Sequence, residues 1–188
     1  MIPYTVDRRP DTNLTNVRMG IWLFLASEVM LFGALFSCYA LLRTAATTWP
    51  SGRDVLQLPL GAANTMVLVT LSALIWRARR LPPMSAAARL WTATGLAVLF
   101  LAIKGVEYQR EIAAGLVAAR STFLALYFTL TALHAMHVAA GAMANAWVAS
   151  GARRAGAALT GGRVEALALY WVFVDMVWLV IFVLLYVS

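Results

Sequence analysis

Residues 19–42 read MGIWLFLASEVMLFGALFSCYALL, a continuous apolar run whose only charged residue is Glu28. A helix needs about 20 apolar residues to cross the roughly 30 Å hydrocarbon core of a bilayer. This stretch is therefore long enough to span a membrane, and it places one carboxyl group near the middle of the span. Apolar runs of similar length recur along the chain, which predicts an all-α integral membrane protein.

The composition of the whole chain favours the same interpretation. Of its 188 residues, 62% are hydrophobic and 12% are charged, whereas soluble domains carry roughly 25% charged residues. The arginines behind the formal net charge of +7 stand in short loops between apolar runs, as topology signals do, so we expect no nucleic-acid binding. The single cysteine, Cys38, excludes a disulfide within the chain and a zinc site built from cysteines.

The apolar runs predict a bundle of five transmembrane helices that forms a single membrane domain over residues 1–188. Their approximate limits are 19–42, 60–76, 90–112, 122–149 and 165–187. Five crossings place the two termini on opposite sides of the membrane. Of the 15 Lys and Arg residues, 10 fall on the N-terminal side and 5 on the other side. The positive-inside rule therefore predicts the N-terminus in the cytoplasm and the C-terminus outside.

Polar side chains inside the predicted spans are the candidate functional residues. A charged group at mid-bilayer costs at least ~2.5–3.5 kcal/mol, so it usually faces protein or water. Glu28, His134 and Asp175 are predicted to lie at a similar depth, which permits contact among them without establishing it. For Glu28 two interpretations stay open: a carboxyl that exchanges protons, and a hydrogen-bonded acid that only packs helices together.

The two histidines of the chain, His134 and His137, are three residues apart and share one helix face. This spacing could supply two metal ligands, but a metal site needs more. We therefore expect no metal site, and hydrogen bonds to neighbouring helices or lipid headgroups instead. On the third helix, Lys104, Glu107, Tyr108 and Glu111 also share a face. They predict an ion pair near the membrane surface, with Lys104 extending towards the interface.

Four further residues are interpreted as structural or as lipid contacts. Asn64, near one end of the second helix, is expected to cap that helix or to hydrogen-bond an adjacent one. Trp171 lies on the stripe of the last helix that carries the aspartate. Arg153 and Arg154 are predicted to lie near lipid headgroups on the cytoplasmic side. No nucleophile–base pair, metal-ligand set or nucleotide-binding loop is evident, so we expect no catalytic residue and no enzyme activity of the chain alone.

Five segments occur in an order typical of one family. They are GIWLFLASEVM (20–30), NTMVLVT (64–70), KGVEY (104–108), ALHAMHV (132–138) and YWVFVDMVW (170–178). Together they resemble cytochrome c oxidase subunit III over nearly the whole chain, in the short five-helix form that lacks the first two helices of longer members. The carbodiimide-reactive glutamate of the family maps to Glu28. Val172 stands where the last segment usually has a histidine, which removes one polar group.

The resemblance implies a non-catalytic subunit of a bacterial aerobic terminal oxidase in the inner (plasma) membrane. Such a subunit carries no haem or copper, packs on subunit I in a hetero-oligomer that also contains subunit II, and binds phospholipids. It supports proton uptake and durable turnover during oxygen reduction, while the haem and copper belong to its partners. Two alternatives stay open: an accessory subunit of a nitric oxide reductase, and an independent proton-coupled transporter. The sequence has neither a repeat nor broken helices, which argues against a transporter.

Overall fold

The computed structural model describes residues 15–152 and 157–187, and all regular elements in these ranges are helical. In chain order the α-helices are α1 (Asn16–Ala45), α2 (Gly52–Val55), α3 (Leu58–Ala78), α4 (Pro83–Ala113), α5 (Thr122–Gly151) and α6 (Ala157–Phe182). A 3-10 turn, Ala118–Arg120, precedes α5, and a π-helical turn, Val183–Val187, continues α6. Five helices in the described ranges are long and apolar enough to cross a membrane. The prediction of an all-α protein with five such helices is confirmed.

Polar and proline residues set the beginnings of the long helices. Thr15 caps α1, its hydroxyl oxygen accepting a hydrogen bond from the Arg18 amide at 3.3 Å. Ser121 caps α5 in the same way, with the Leu124 amide as donor at 3.2 Å. Such caps satisfy amides that have no partner within the helix. Pro83 opens α4, where its missing N–H removes no helical hydrogen bond.

The end of α4 is fixed by a glycine-containing cap. Gly115 has a φ of 74°, the left-handed conformation that glycine adopts at little cost. The Leu116 amide donates to the Glu111 carbonyl at 2.9 Å, and the Gly115 amide donates to the Ile112 carbonyl at 3.0 Å. These two bonds form the Schellman pattern that terminates helices. They hold the last turn of α4, and with it the Glu111 side chain, at one end of the bundle.

The helices pack with α3 beside α4 and α6, and with α5 beside α4 and α6. Small residues such as Ala93 and Ala97 are fully buried on α4, because they allow neighbouring helices to approach closely in a membrane. Helix α1 lies at the edge of the bundle and contacts mainly α6. Its buried residues are Leu25, Phe32 and Tyr39, a single stripe at intervals of seven residues. Most of the surface of α1 is therefore left for lipid or for another protein.

Two glycines allow aromatic rings of the last helical segment to lie against its neighbours. A Cβ atom on Gly141 of α5 would lie 2.7 Å from the Trp171 ring and 2.8 Å from the Tyr170 ring. A Cβ atom on Gly61 of α3 would lie 2.9 Å from the Tyr186 ring. Glycine at these positions thus determines how deeply the aromatic side chains enter the bundle.

Candidate functional site

The first polar group inside the bundle is the glutamate–histidine pair, formed by Glu28 of α1 and His137 of α5. Glu28 Oε2 lies 2.9 Å from His137 Nε2, and the two side chains are 13% and 14% exposed. His137 Nδ1 lies 2.8 Å from the Leu133 carbonyl oxygen. The Phe32 ring packs edge-on against the imidazole at 5.2 Å between centroids. The pair therefore joins the peripheral helix to the bundle at a position that is largely enclosed.

The hydrogen bonds of His137 determine the protonation of this pair. A carbonyl oxygen can only accept a hydrogen bond, so the proton near Leu133 must belong to Nδ1. The other nitrogen, Nε2, then either accepts a proton from a neutral Glu28 carboxyl or, in an imidazolium, donates to a Glu28 carboxylate. In both arrangements one proton lies between Nε2 and Oε2, and the pair has no net charge.

The other two polar residues predicted at this depth lie elsewhere in the packing. His134 is fully buried, and neither of its ring nitrogens has a hydrogen-bond partner among the described residues. Its ring lies against Trp178 at 5.1 Å and Phe100 at 5.7 Å between centroids. Asp175 of α6 lies close to Ser72 of α3, and its Oδ1 has no described partner. The structure thus brings Glu28 to His137, and neither His134 nor Asp175 hydrogen-bonds to that pair.

The second polar group is the lysine–glutamate–tyrosine cluster, formed by Lys104, Glu107, Glu111, Tyr127 and Tyr186. Lys104 Nζ lies 3.1 Å from Glu107 Oε2, 3.0 Å from Tyr127 Oη and 2.8 Å from Tyr186 Oη. Each of the three ammonium protons therefore has an acceptor. Lys104 is 3% exposed and Glu107 is fully buried. The expectation that Lys104 extends to the membrane surface is wrong, because these three acceptors hold it inside the bundle.

The tyrosines connect the lysine to both carboxyl groups. The Tyr186 hydroxyl donates to Glu107 Oε1 at 2.5 Å. Tyr127 Oη lies 3.1 Å from Glu107 Oε1 and 2.9 Å from Glu111 Oε1. Glu111 is 3% exposed, and its Oε2 has no hydrogen-bond partner among the described residues. The cluster thus contains one ammonium group, two carboxyl groups and one buried carboxyl oxygen without a donor.

The sequence analysis proposed Lys104 and Glu107 as site residues and placed Glu111 on their helix face, but it related neither Tyr127 nor Tyr186 to them. Glu111 was placed on that face because it is the seventh residue after Lys104. Tyr186 is far away in sequence and reaches the cluster from the π-helical turn that continues α6. Such turns are rare and frequently occur at functional sites. No sequence spacing relates Tyr186 to Lys104.

The remaining candidates have different environments. Asn64 is fully buried on α3, and both of its amide atoms lack a partner among the described residues. The Trp171 indole donates to Asn145 Oδ1 at 3.1 Å, which joins α6 to α5. Arg153 and Arg154 lie outside the described residues. No group of three His, Cys, Asp or Glu residues in the described ranges could hold a metal ion.

An apolar groove of about 460 Å³ runs between α1, α5 and α6. Its lining includes Phe24, Trp147 and Arg163. The Arg163 guanidinium lies over the Trp147 ring at 4.6 Å. Beside this end of the groove, Arg18 and Glu165 form an exposed ion pair at 2.8 Å. The groove therefore combines an apolar trough with cationic side chains at one end.

One tyrosine contacts both this groove and the backbone of the glutamate–histidine pair. Tyr170 lines the groove, and its hydroxyl donates to the His137 carbonyl at 2.7 Å. Val172, at the position where the family segment usually has histidine, is 42% exposed on the outer surface of the bundle. The departure from the family segment therefore lies on the outer surface of the bundle.

Comparisons with known proteins give a consistent result. A family model described as "Cytochrome c oxidase subunit III" matches residues 10–188. The cytochrome bo(3) ubiquinol oxidase subunit 3 of Pseudomonas aeruginosa is 32% identical over 181 residues, which cover 91% of this chain and 84% of the relative. The cytochrome c oxidase subunit 3 of Bacillus sp. (strain PS3) is 29% identical, over 97% of this chain and 92% of the relative.

A third relative is a longer protein. The heme-copper oxidase subunit I+III of Aeropyrum pernix is 30% identical over 91% of this chain, and the matched region is 22% of the relative. In that protein, the segment similar to this chain is part of one polypeptide named for both subunits.

Proposed function

The chain belongs to the cytochrome c oxidase subunit III family and is a subunit of a haem–copper oxidase, and from this premise we propose that it is the non-catalytic subunit III of a bacterial aerobic terminal oxidase. In this role it packs on subunit I, binds phospholipid and supports proton uptake and lasting turnover during oxygen reduction. The haem and copper belong to the partner subunits. The single observation that carries the proton role is the hydrogen bond between Glu28 and His137.

Assembly with subunits I and II is proposed from the relatives and from the packing of α1. The Aeropyrum pernix relative carries both names, I and III, in one chain, which supports assembly of this chain with a subunit I. Much of the apolar surface of α1 is exposed in this chain, including Leu23 and Met30. An exposed helix of this kind can pack against another membrane subunit as readily as against lipid.

We also propose that the chain forms a single domain embedded in the bacterial inner membrane, with its N-terminus in the cytoplasm. The excess of arginines on the N-terminal side supports this orientation. Arg18, Arg79 and Arg163 belong to that side. Fusing a reporter enzyme that is active only in the periplasm to each end tests the orientation. Activity from the C-terminal fusion alone is expected, and activity from the N-terminal fusion alone would overturn it.

The proton role follows from the chemistry of the glutamate–histidine pair. Its one proton can move between Glu28 Oε2 and His137 Nε2, atoms 2.9 Å apart, without any change in net charge. Moving a proton within a neutral pair avoids the cost of creating an isolated charge inside a membrane. The pair is partly exposed at the edge of the bundle, where a second subunit or a water molecule can reach it.

Glu28→Gln tests this role, because the glutamine amide keeps a hydrogen bond to His137 Nε2 but cannot release a proton. In the purified oxidase, the variant is expected to assemble normally, to take up protons more slowly during oxygen reduction and to inactivate after fewer turnovers. Glu165→Gln, which neutralises an exposed carboxyl of the same subunit, is the matched control. Unchanged proton uptake, pumping and turnover lifetime in Glu28→Gln would make Glu28 a packing residue.

Phospholipid binding is proposed for the groove between α1, α5 and α6. An acyl chain fits an apolar trough of this kind, and the Arg163 guanidinium can hold a headgroup phosphate. Ala144→Phe fills the groove and is expected to reduce the lipid retained by the purified complex, measured by native mass spectrometry. Ala132→Phe, at an exposed position of the same helix, is the control. Equal lipid retention in both variants would contradict the assignment of the groove.

The identity of the proteins that co-purify tests the function as a whole. We expect subunits that contain haem and copper. A partner with haem and non-haem iron would instead identify an accessory subunit of a nitric oxide reductase. A chain that purifies alone and transports a solute in vesicles would overturn both functions.

A further inference from the structure

We propose that Glu111 is a second proton-binding site of this chain, in which binding or release of one proton reverses the hydrogen bond between Glu111 and Tyr127. The site lies in the last turn of α4, next to the Gly115 cap. It is separate from the glutamate–histidine pair and independent of the function proposed above.

Most protons around Lys104 have one defined acceptor. Its three ammonium protons have the acceptors Glu107 Oε2, Tyr127 Oη and Tyr186 Oη. The Tyr186 hydroxyl proton has Glu107 Oε1 as its acceptor. Tyr186 Oη also lies 3.5 Å from Tyr127 Oη, but its contact with Glu107 Oε1, at 2.5 Å, is much shorter. The Tyr127 hydroxyl proton has two carboxyl acceptors at similar distances, Glu107 Oε1 at 3.1 Å and Glu111 Oε1 at 2.9 Å. Its direction is therefore the one undetermined feature of the cluster.

Each direction of the Tyr127 hydroxyl favours a different protonation state of Glu111. If Tyr127 donates to Glu111 Oε1, a proton on Glu111 could only lie on Oε2, which is buried without a partner among the described residues, so this direction favours the ionised carboxylate. If Tyr127 donates to Glu107 Oε1, an ionised Glu111 has no donor among the described residues, and a buried carboxylate without a donor is costly. A proton on Glu111 Oε1 removes that cost, because the carboxyl then donates to the free lone pair of Tyr127 Oη.

Glu111 and Glu107 differ in the hydrogen-bond donors that reach their carboxyl oxygens. Both oxygens of Glu107 have donors, and Lys104 supplies one compensating charge. Glu111 has a potential donor on Oε1 only; its Oε2 is buried without a partner, although the residue is just 3% exposed. With Lys104 and Glu107 charged, a second carboxylate leaves the cluster one negative charge in excess. Protonation of Glu111 makes the cluster neutral.

The surroundings offer a route, and the two arginines nearest in sequence have partners outside the cluster: Arg110 Nη1 donates to Gln57 Oε1 at 3.3 Å, and Arg120 Nη1 donates to the Gly115 carbonyl oxygen at 3.2 Å. Ala113, Ala114 and Gly115 are exposed directly after Glu111, so a proton has a short path from the surface. The charged and titratable groups described around Glu111 come from α4, α5 and the π-helical turn: Lys104, Glu107, Tyr108, Tyr127 and Tyr186. Lys104 is the only cation in the cluster. The Tyr108 hydroxyl is hydrogen-bonded to the Thr131 hydroxyl, with 2.5 Å between the two oxygen atoms.

Infrared spectroscopy of the purified oxidase complex tests the proposal. Difference spectra between acid and alkaline pH are expected to contain a C=O stretching band of a neutral carboxylic acid. This band should be missing from the Glu111→Gln complex. It should persist in Glu165→Gln, where the lost carboxyl is exposed and paired with Arg18. Identical bands in the wild type and Glu111→Gln, or no pH-dependent carboxyl band in the wild type, would overturn the proposal.

A second variant tests the assignment of the infrared band to Glu111 if Glu111→Gln does not assemble. Tyr127→Phe keeps the ring and removes the oxygen that accepts from the neutral carboxyl. The same infrared band is expected to shift in frequency and to remain pH-dependent, because the proton is still bound but has lost its acceptor. An unshifted band in Tyr127→Phe would assign it to another carboxyl group and overturn the proposal.

Discussion

The two polar groups of this bundle differ in where and how they hold ionisable side chains among apolar helices. The glutamate–histidine pair lies at the edge, its side chains are 13% and 14% exposed, and it contains one acid and one base. The lysine–glutamate–tyrosine cluster lies in the interior and draws its members from three helical segments. A pair can exchange its proton with little disturbance of the fold. A cluster whose ammonium group has only internal acceptors depends on every member.

The largest effect is expected from Lys104→Met. It removes the only cation of the cluster and leaves Glu107 buried without a compensating charge, and breaking a buried pair in this way costs about 3–5 kcal/mol. We expect loss of the subunit from the complex during purification, or a clear fall in the thermal unfolding temperature. Arg18→Met is the matched control, since an exposed ion pair contributes about 1 kcal/mol or less. Equal stability of the two variants would remove the distinction between interior and edge.

A smaller effect is expected from Gly61→Ala. The added methyl group would lie 2.9 Å from the Tyr186 ring and 3.0 Å from the Phe182 ring, and overpacking of this kind costs about 1–3 kcal/mol. Tyr186 would be displaced from Lys104, so the variant tests whether the cluster depends on the position of the π-helical turn. Gly95→Ala on α4, where nothing lies within 4 Å of the new atom, is the control. Unfolding temperatures of the two complexes provide the measurement, and the same value for both would contradict the prediction.

The contrast between the two groups also explains what the sequence could predict. Hydrophobic length identifies a spanning helix whatever its neighbours are, so the five helices were predictable. The positions of Glu28, His134 and Asp175 within their helices predict a similar depth for all three, and this stays a prediction. Contact depends on how each helix is rotated, and a step of three residues turns the side chain by about 60°. That rotation separates His137, which meets Glu28, from His134, which faces Trp178.

Long-range pairing accounts for the cluster that the sequence predicted only in part. A lysine near a helix end is expected to extend to the interface when its acceptors are unknown. The acceptors of Lys104 include residues 23 and 82 positions away, Tyr127 and Tyr186. No periodicity within one helix contains that information. A lysine that the sequence predicts near the surface therefore lies at the centre of an interior hydrogen-bond network.

The smallest stability effect is expected from Glu28→Gln, compared with Glu107→Gln. Both variants replace a carboxyl by an amide of nearly the same shape. At Glu28 the amide N–H still donates to His137 Nε2, so the free energy of unfolding should change by about 1 kcal/mol or less. At Glu107 the same change removes the carboxylate that pairs with Lys104 at 3.1 Å, and breaking a buried ion pair costs about 3–5 kcal/mol. Thermal unfolding of the two complexes measures the difference. If Glu28→Gln destabilises the complex as strongly as Glu107→Gln, the edge pair is a structural ion pair, and its role in proton exchange has no support.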